Sequence, residues 1–370
     1  MAITIKEVAR EAGVSVATVS RVFTGKGPVQ EETRRRVLEV AARLRYLPNA
    51  TARSLTTNKT GALGVLLPDL YGEFFSEVIR GIDLAARRRG YHVFVSSSHS
   101  DRSEVETVLR ALRGRVDGLL VMSPEVDAQA LQANLPAALP VTLLNTEWEG
   151  SDVPSLNIDN HGGAYAMARH LVGLGHRRIA FVEGAPGNYD ARERLRGYRD
   201  GLRDSVDPAV GAAEIASLEI PGEFSEESGY RAGAALLRLD PRPTAVFAAN
   251  DAMAIGLLSA LQEAGVRVPA DIAVAGFDDI PIARFLTPAL TTVRVGIAEL
   301  GARALERLLA AVENPEDDAN GPPGGERRHE VLPVHLVVRG SCGAQAQPPA
   351  AEEIPEGNLM ESLHPRRWVR

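Results

Sequence analysis

The chain has 370 residues, 45% of them hydrophobic, which is enough apolar material for at least two ordinary cores. A single cysteine, Cys342, excludes a disulfide framework and any multi-cysteine metal site. The net charge of −7 conceals a division: residues 1–60 hold 11 Lys and Arg against five acids, leaving 30 basic and 43 acidic residues in the remainder. A basic head suits a polyanion, while an acidic body stays soluble and repels one.

The amino end, Met1-Ala2-Ile3-Thr4-Ile5-Lys6-Glu7, lacks a basic stretch followed by an apolar one. No secretory signal is expected, and no apolar run approaches the roughly 18 residues of a membrane span, so a cytoplasmic protein with no membrane partner is expected. Thr4 is expected to cap a helix from Ile5 to Ala12, with Glu7 completing a capping box and Gly13 ending the helix. Ser15 then caps a second helix, Val16 to Phe23, and a third runs from about Gln30 to Leu44 with Val37, Leu38, Val40, Ala41 and Leu44 as its apolar face. Pro48 stops it. The segment from Asn49 to Thr60 is polar and alanine-rich, too short to hold a helix alone in water.

From Gly61 the texture changes. Strand-like runs are expected at Ala62–Leu67, His92–Ser97, Gly118–Met122, Val141–Leu144, Arg178–Val182, Ala245–Ala249 and Ile272–Phe277. Amphipathic helices fall between them, at Phe75–Arg89, Gly162–Leu174, Glu226–Leu239 and Ala252–Ala264. This alternation is that of parallel βαβ units, and its length calls for two lobes. The tail after Gly343 is rich in Ala, Pro and Glu, has no heptads, and is expected to be disordered.

The segment Ile5 to Val22 has the pattern of a helix-turn-helix. Ala9 is small where a second helix packs over it, Gly13 supplies the positive φ of a tight turn, and Val8, Val14, Val19 and Val22 close a small core. Val16, Ala17, Ser20 and Arg21 are left exposed on the second helix, where short side chains allow close approach to base edges and Arg21 can reach a guanine bidentately.

Ile5 to Val22 resembles the start of the LacI–GalR family of bacterial transcription regulators, as does Arg45-Tyr46-Leu47-Pro48-Asn49-Ala50-Thr51-Ala52-Arg53-Ser54-Leu55. The similarity extends to Arg339-Gly340-Ser341 and so covers roughly residues 3–341. It implies a small all-α head joined to an α/β body of two Rossmann-like lobes with parallel sheets, of the periplasmic-binding-protein type. It also implies that the second segment is a hinge helix folded only on operator DNA, with Leu55 wedged into the central base step beside its dimer mate and Ala52 kept small for groove contact. The residues so assigned to double-stranded operator DNA are Thr4, Ser15, Val16, Ala17, Thr18, Ser20, Arg21, Asn49, Ala52 and Leu55.

Sugar clefts combine carboxylates, amides and arginine with an aromatic face, placed in parallel α/β lobes at the C-terminal ends of strands. Asp69, Asn145, Asn250-Asp251 and Asp278-Asp279 follow expected strands. The resemblance selects Arg194, Asn250 and Asp278 as effector contacts, Phe224 as a stacking aromatic and Phe74 as a first-lobe wall. Asp69 and Asn145 stay as candidates, although relatives often carry an acid at the latter. Asp251 reads as a helix cap, Gly175-His176-Arg177-Arg178-Ile179 as a strand entry, and Trp148 is set aside. A nucleobase-sensing relative would have a second arginine six residues before Arg194, where Asn188 stands. That raises a mono- or disaccharide or a sugar phosphate, with a nucleobase corepressor or a phosphocarrier protein as alternatives.

No G-x-S-x-G elbow, phosphate loop or H-E-x-x-H is present, and eight histidines are scattered without metal-ligand spacing. A regulator without cofactor or metal is therefore expected, rather than an enzyme or a transport-type binding protein, which would need a signal peptide. The implied division is a head at 1–47, a hinge at 48–60, two lobes over 61–341 and a tail at 342–370. Family topology implies crossings near 158, 290 and 322, giving lobe one 61–157 with 290–320 and lobe two 158–289 with 322–341. A homodimer is expected, because one head makes too few contacts. Pro348, Pro349, Pro355 and Pro365 exclude the C-terminal coiled coil of tetrameric relatives.

Overall fold

A computed structural model describes residues 3–25, 27–46, 59–126, 131, 135, 139–146, 153–204, 218–314 and 329–344. Asn49, Ala52 and Leu55 of the expected hinge, Trp148, and the tail beyond Ala344 lie outside them.

The head has three helices, α1 (Ile5–Ala12), α2 (Val16–Thr24) and α3 (Glu31–Arg43). The Glu7 carboxylate accepts from the Thr4 N–H at 2.7 Å and from its hydroxyl at 2.9 Å, which fixes the start of α1. Gly13 turns the chain at φ 65°, and the Ser15 hydroxyl oxygen accepts from the Thr18 N–H at 3.1 Å to start α2. Val8, Ala9, Ala12, Val19, Val22, Val37, Val40 and Ala41 are buried together. Leu38 corrects the apolar face expected of α3, being 44% exposed. Residues 37, 40, 41 and 44 repeat at helical spacing, and Leu38 lies about 100° off that stripe.

The body contains two parallel sheets. In chain order its elements are β1 (Ala62–Leu67), α4 (Glu73–Arg88), β2 (His92–Ser97), α5 (Arg102–Leu112), β3 (Leu119–Val121), β4 (Val141–Leu144) and β5 (Ser155–Ile158). Then come α6 (Asn160–Gly173), β6 (Ile179–Val182), α7 (Tyr189–Arg203), β7 (Glu219–Ile220), α8 (Glu226–Leu236), β8 (Ala245–Ala248), α9 (Asp251–Glu263) and β9 (Ala273–Ala275). Last are β10 (Thr292–Arg294), α10 (Ile297–Glu313), β11 (His329–Leu332) and β12 (His335–Val337). The first sheet runs β11-β5-β4-β3-β1-β2 and the second β7-β6-β8-β9, with every pair parallel. β10 and β12 pair antiparallel, and bridges Ala275↔Thr291 and Asp278↔Arg294 attach β10 to the side of β9.

The chain therefore passes between lobes after Ile158, between Arg294 and Ile297, and between Leu332 and His335. The second and third passages fall later than expected. β11 pairs with β5 in the first sheet, Leu332 opposite Ile158, so residues 329–332 belong to lobe one, and β10 stays with lobe two. The passages run side by side: the Asp159 N–H donates to Leu332 O at 3.0 Å, and Arg294 lies opposite His335. A bundle of short adjacent strands of this kind bends more readily than either packed sheet.

α10 returns to lobe one and lies against α4, where Gly81 removes the side chain that contact cannot hold. A Cβ there would sit 1.9 Å from Ala298 O, a backbone atom that cannot swing aside. Gly81→Ala should destabilise the body by about 1–3 kcal/mol. Calorimetric melting checks this; an unchanged Tm would contradict the close approach of the two helices.

Candidate functional site

Two surfaces carry function. On the head, Val16 is 41% exposed at the first turn of α2, with Ser15, Ala17 and Arg21 exposed beside it and Thr18 and Ser20 half-buried. The Thr18 and Ser15 hydroxyls lie 2.9 Å apart, and the Thr4 hydroxyl is committed to Glu7. Gly13, Ser15 and the packed valines thus present a rigid helix N-terminus with one arginine and a row of short side chains. Such a shape fits the width of a major groove.

The second surface is a cavity of about 420 Å³ between the lobes. In the first sheet β1 lies between β2 and β3, and in the second β6 lies between β7 and β8, so each sheet reverses its strand order there. Loops leaving neighbouring strands diverge at such a point and open a crevice. The crevices face each other: Pro68 and Asp69 follow β1 and Pro124 and Glu125 follow β3, while Asn188 follows β6, Phe224 follows β7, Asn250 follows β8 and Asp278 follows β9. Among the described residues, hydrogen bonds cross between the lobes from the Tyr189 N–H to Pro124 O (2.9 Å), Asn188 Nδ2 to Glu125 Oε1 (3.2 Å) and the Ile282 N–H to Glu73 Oε2 (3.0 Å).

Arg194 is the centre of the lobe-two wall. It sits on α7, is only 3% exposed, and its Nε donates to Asn160 Oδ1 at 2.8 Å. Its Nη1 donates to Ala249 O at 2.7 Å and lies 3.1 Å from Asp278 Oδ1. The guanidinium covers the Phe277 ring at 3.9 Å from its centroid and has Phe224 at 5.8 Å. Asn250 Oδ1 caps α9 by accepting from the Met253 N–H at 2.9 Å, while its Nδ2 donates to Phe224 O at 3.0 Å. That second bond holds Phe224 at φ 64°, and the ring lies where a Cβ on Gly184 would be, 2.2 Å from its Cζ. Across the cavity, the Asp69 carboxylate accepts from the Leu70 and Tyr71 N–H groups at 2.6 and 3.1 Å, and Phe74 packs edge-on to Phe75 at 5.4 Å.

Six of the seven candidates, Asp69, Phe74, Arg194, Phe224, Asn250 and Asp278, therefore line one cavity. Asn145 does not. At φ 42° its side chain is fully buried behind β4, and neither amide atom has a hydrogen-bond partner among the described residues. The cap at 250–251 is Asn250, which corrects the reading of Asp251. Asp251 is instead fully buried, accepting from Thr292 Oγ1 at 2.6 Å and the Ile280 N–H at 3.0 Å, and so ties α9 to β10. Asp190 went unnoticed in the sequence. Four residues before Arg194 on α7, it accepts from Asn160 Nδ2 at 2.8 Å and lines the cavity. The i,i+4 spacing that puts both on one helix face was the available signal.

Residues 4–49 match the profile described as bacterial regulatory proteins, lacI family, and residues 168–342 match a periplasmic binding protein-like domain. Catabolite control protein A of Priestia megaterium is 36% identical over 320 residues, covering 85% of this chain and 94% of that one. The HTH-type transcriptional repressor PurR of Edwardsiella ictaluri is 37% identical, covering 85% and 92%. The chain belongs to the lacI family of bacterial regulatory proteins. Among solved structures, the Lac repressor dimer bound to operator and the anti-inducer ONPF aligns with TM-score 0.81 and 31% identity, over 92% of this chain and 99% of that one. This LacI-family chain is thus a DNA-binding transcription regulator with a two-lobed sensor body, and no helix among its described residues is long and apolar enough to cross a membrane.

Burial raises the Asp190 carboxyl to about 7 and Asp278 to about 6, from ordinary values near 3.8. Desolvation is the main cause at both, with Arg194 opposing it, and Asn160 opposing it further at Asp190. The native state then holds protons that the unfolded chain releases near pH 4. The associated stability is complete below that pH and is lost as pH rises through 6 and 7. Asp190→Asn should lose less Tm than wild type between pH 5 and pH 8 by scanning calorimetry. Other titrating groups are common to both proteins, so an equal loss in both would show Asp190 to be ordinarily ionised.

Proposed function

We propose that this regulator is a cytoplasmic repressor that binds a palindromic operator as a homodimer and is released from it by a small polyhydroxylated effector in the cleft. The observation that carries this reading is the cleft itself: Asp69, Asn188, Asp190, Asn250 and Asp278 line one space together with the aromatic residues Phe74 and Phe224. Sugars are bound by such sets, with hydroxyls taken by polar groups and the apolar ring face taken by an aromatic.

Operator affinity would come from paired heads. Arg21, Val16 and Ala17 read each half-site, Thr4, Ser15, Thr18, Ser20 and Asn49 position the head, and Ala52 and Leu55 act at the centre of the site. The likeness to the operator-bound Lac repressor dimer supports two-fold pairing. Arg21→Ala should cost about 1–3 kcal/mol of operator binding and relax sequence preference at one base pair per half-site. A uniform loss across sequences would make Arg21 a phosphate contact instead.

Coupling follows from the three passages. An effector touching Phe74 and Asp69 on lobe one and Arg194 and Asp278 on lobe two closes the cleft by bending them. That shifts the first lobes of the dimer and the spacing of the hinges. The linkage is reciprocal: effector and operator weaken each other by the same factor. A thermal-shift screen over sugars and purines tests the ligand class, since a ligand at 100 times its Kd adds about 2.7 kcal/mol to stability. Asp278→Ala should abolish the effector response and leave effector-free operator affinity near wild type in a fluorescence-anisotropy titration. Leu55→Gly should do the reverse, damaging operator binding while calorimetric effector affinity holds. Loss of operator binding in a folded Asp278→Ala protein would refute the division into reader and sensor.

A further inference from the structure

The polarity of the cleft narrows the effector further. Seven carboxylates line it among the described residues, including Asp69, Glu125, Asp190 and Asp278, against a single cation, Arg194. The charge of that cation is already balanced within the protein, with Nε on Asn160, Nη1 on Ala249 O and Asp278 Oδ1 3.1 Å from Nη1, which leaves Nη2 as its free corner among the described residues. The helix N-termini that point into the crevice are committed in the same way. α4, α7, α8 and α9 each carry an acid in the first turn, at Glu73, Asp190, Glu226 and Asp251, so the positive end of each dipole faces its own carboxylate. Asp278 adds an unmet demand. It is 4% exposed and lines the cavity, and its Oδ1 has the Arg194 ion pair at 3.1 Å but no well-aligned hydrogen bond among the described residues. A buried acceptor in this position calls for a donor from whatever fills the space.

We infer that the effector is dense in hydroxyl or ammonium donors and carries no net negative charge, so that phosphorylated and other acidic sugars are excluded. This rests on the sugar reading of the cleft and adds its charge selectivity. A phosphate or carboxylate offers acceptors only. It would set a charge among carboxylates of like sign, in a space where screening is weak, with one arginine, itself paired with Asp278, to meet it. A neutral sugar hydroxyl donates to Asp278 Oδ1, Asp190 or Asp69 at no such cost, and an amino sugar gains an ionic contact as well.

The test uses the full chain in thermal shift and then calorimetry, with matched triads: glucose, glucosamine and glucose 6-phosphate, and the galactose and mannose equivalents, with purine bases alongside. The inference expects a neutral or aminated member to raise Tm while its phosphorylated counterpart at equal concentration does not. A phosphorylated member that binds as well as its parent overturns the charge selectivity and leaves the sugar reading standing. A response to purines alone, or to no member of the panel from a protein that still binds DNA, overturns both. The electrostatic cause is checked at pH 8, where Asp190 is ionised, by Asp190→Asn, with Glu125→Gln as the second variant should the first not fold. Removing one charge should narrow the gap between parent and phosphate by about tenfold or more, and an unchanged gap in a folded variant would refute it.

Discussion

A guanidinium buried as deeply as that of Arg194 has to be neutralised and hydrogen-bonded from within the protein, and meeting that demand organises lobe two. Asn160 comes from the first turn of α6, immediately after the chain has left lobe one. Ala249 O comes just after β8, one residue before the Asn250 cap of α9, and Asp278 follows β9 at φ 114°, a conformation that a non-glycine residue holds only where its surroundings impose it. Phe277, under the guanidinium, is fully buried, so the cation's flat face substitutes for apolar packing at the edge of the core. Removing either Arg194 or Asp278 would leave an uncompensated buried charge, and such losses far exceed the net value of the pair. The two carboxylates beside it, Asp190 and Asp278, draw on the same single cation, which is why burial can push both upward.

The same arrangement explains why a cleft built this way can switch. The lobe-two wall is rigid, since Arg194, Asn160, Asn250 and Phe224 are fixed to one another. The lobe-one wall carries Asp69 and Phe74 on the loop after β1 and the first turns of α4, and that helix is locked to α10 across Gly81. Neither wall can adapt much to a ligand. What remains to move is the relation between them, carried by three adjacent passages and by cross-cleft hydrogen bonds at Glu73 and Glu125. Rigid walls on a soft hinge convert ligand contacts into lobe rotation.

How much of this could be read from the sequence depended on whether the signal was local. Ala62–Leu67 and Val141–Leu144 are short runs, apolar but for Thr142, buried at every position, and the sequence expectation matches them residue for residue. β5, β7, β10, β11 and β12 were not anticipated, being two to four residues long and in part polar, as in Ser155-Leu156-Asn157-Ile158. Their strand character comes from neighbours distant in sequence. α7 was hidden by its charge: the arginines between Arg192 and Arg199 give it the look of a solvated basic run, whereas Arg194 faces inward with Tyr198 and Leu202. With that helix unseen, the i,i+4 spacing of Asp190 and Arg194 went unused. Asn145 shows the converse error. The strand-end rule placed it correctly after β4, but its positive φ turns the side chain into the lobe, and only the folded backbone determines that.

The distribution of charge ties the two functional surfaces together. The head concentrates cations where a polyanion has to be met, and Glu11, the acid nearest the end of α1, is itself held by Arg43 at 2.8 Å. The cleft concentrates carboxylates around one arginine whose charge is already paired with Asp278. A single chain therefore repels phosphate at the site that senses and attracts it at the site that reads. DNA cannot compete for the cleft, and an uncharged effector cannot screen the head. Any influence of one site on the other must then travel through the position of the lobes and not through the field between them, because salt at physiological strength screens exposed charges beyond about 8 Å. Mechanical coupling through the passages is what the charge pattern leaves available.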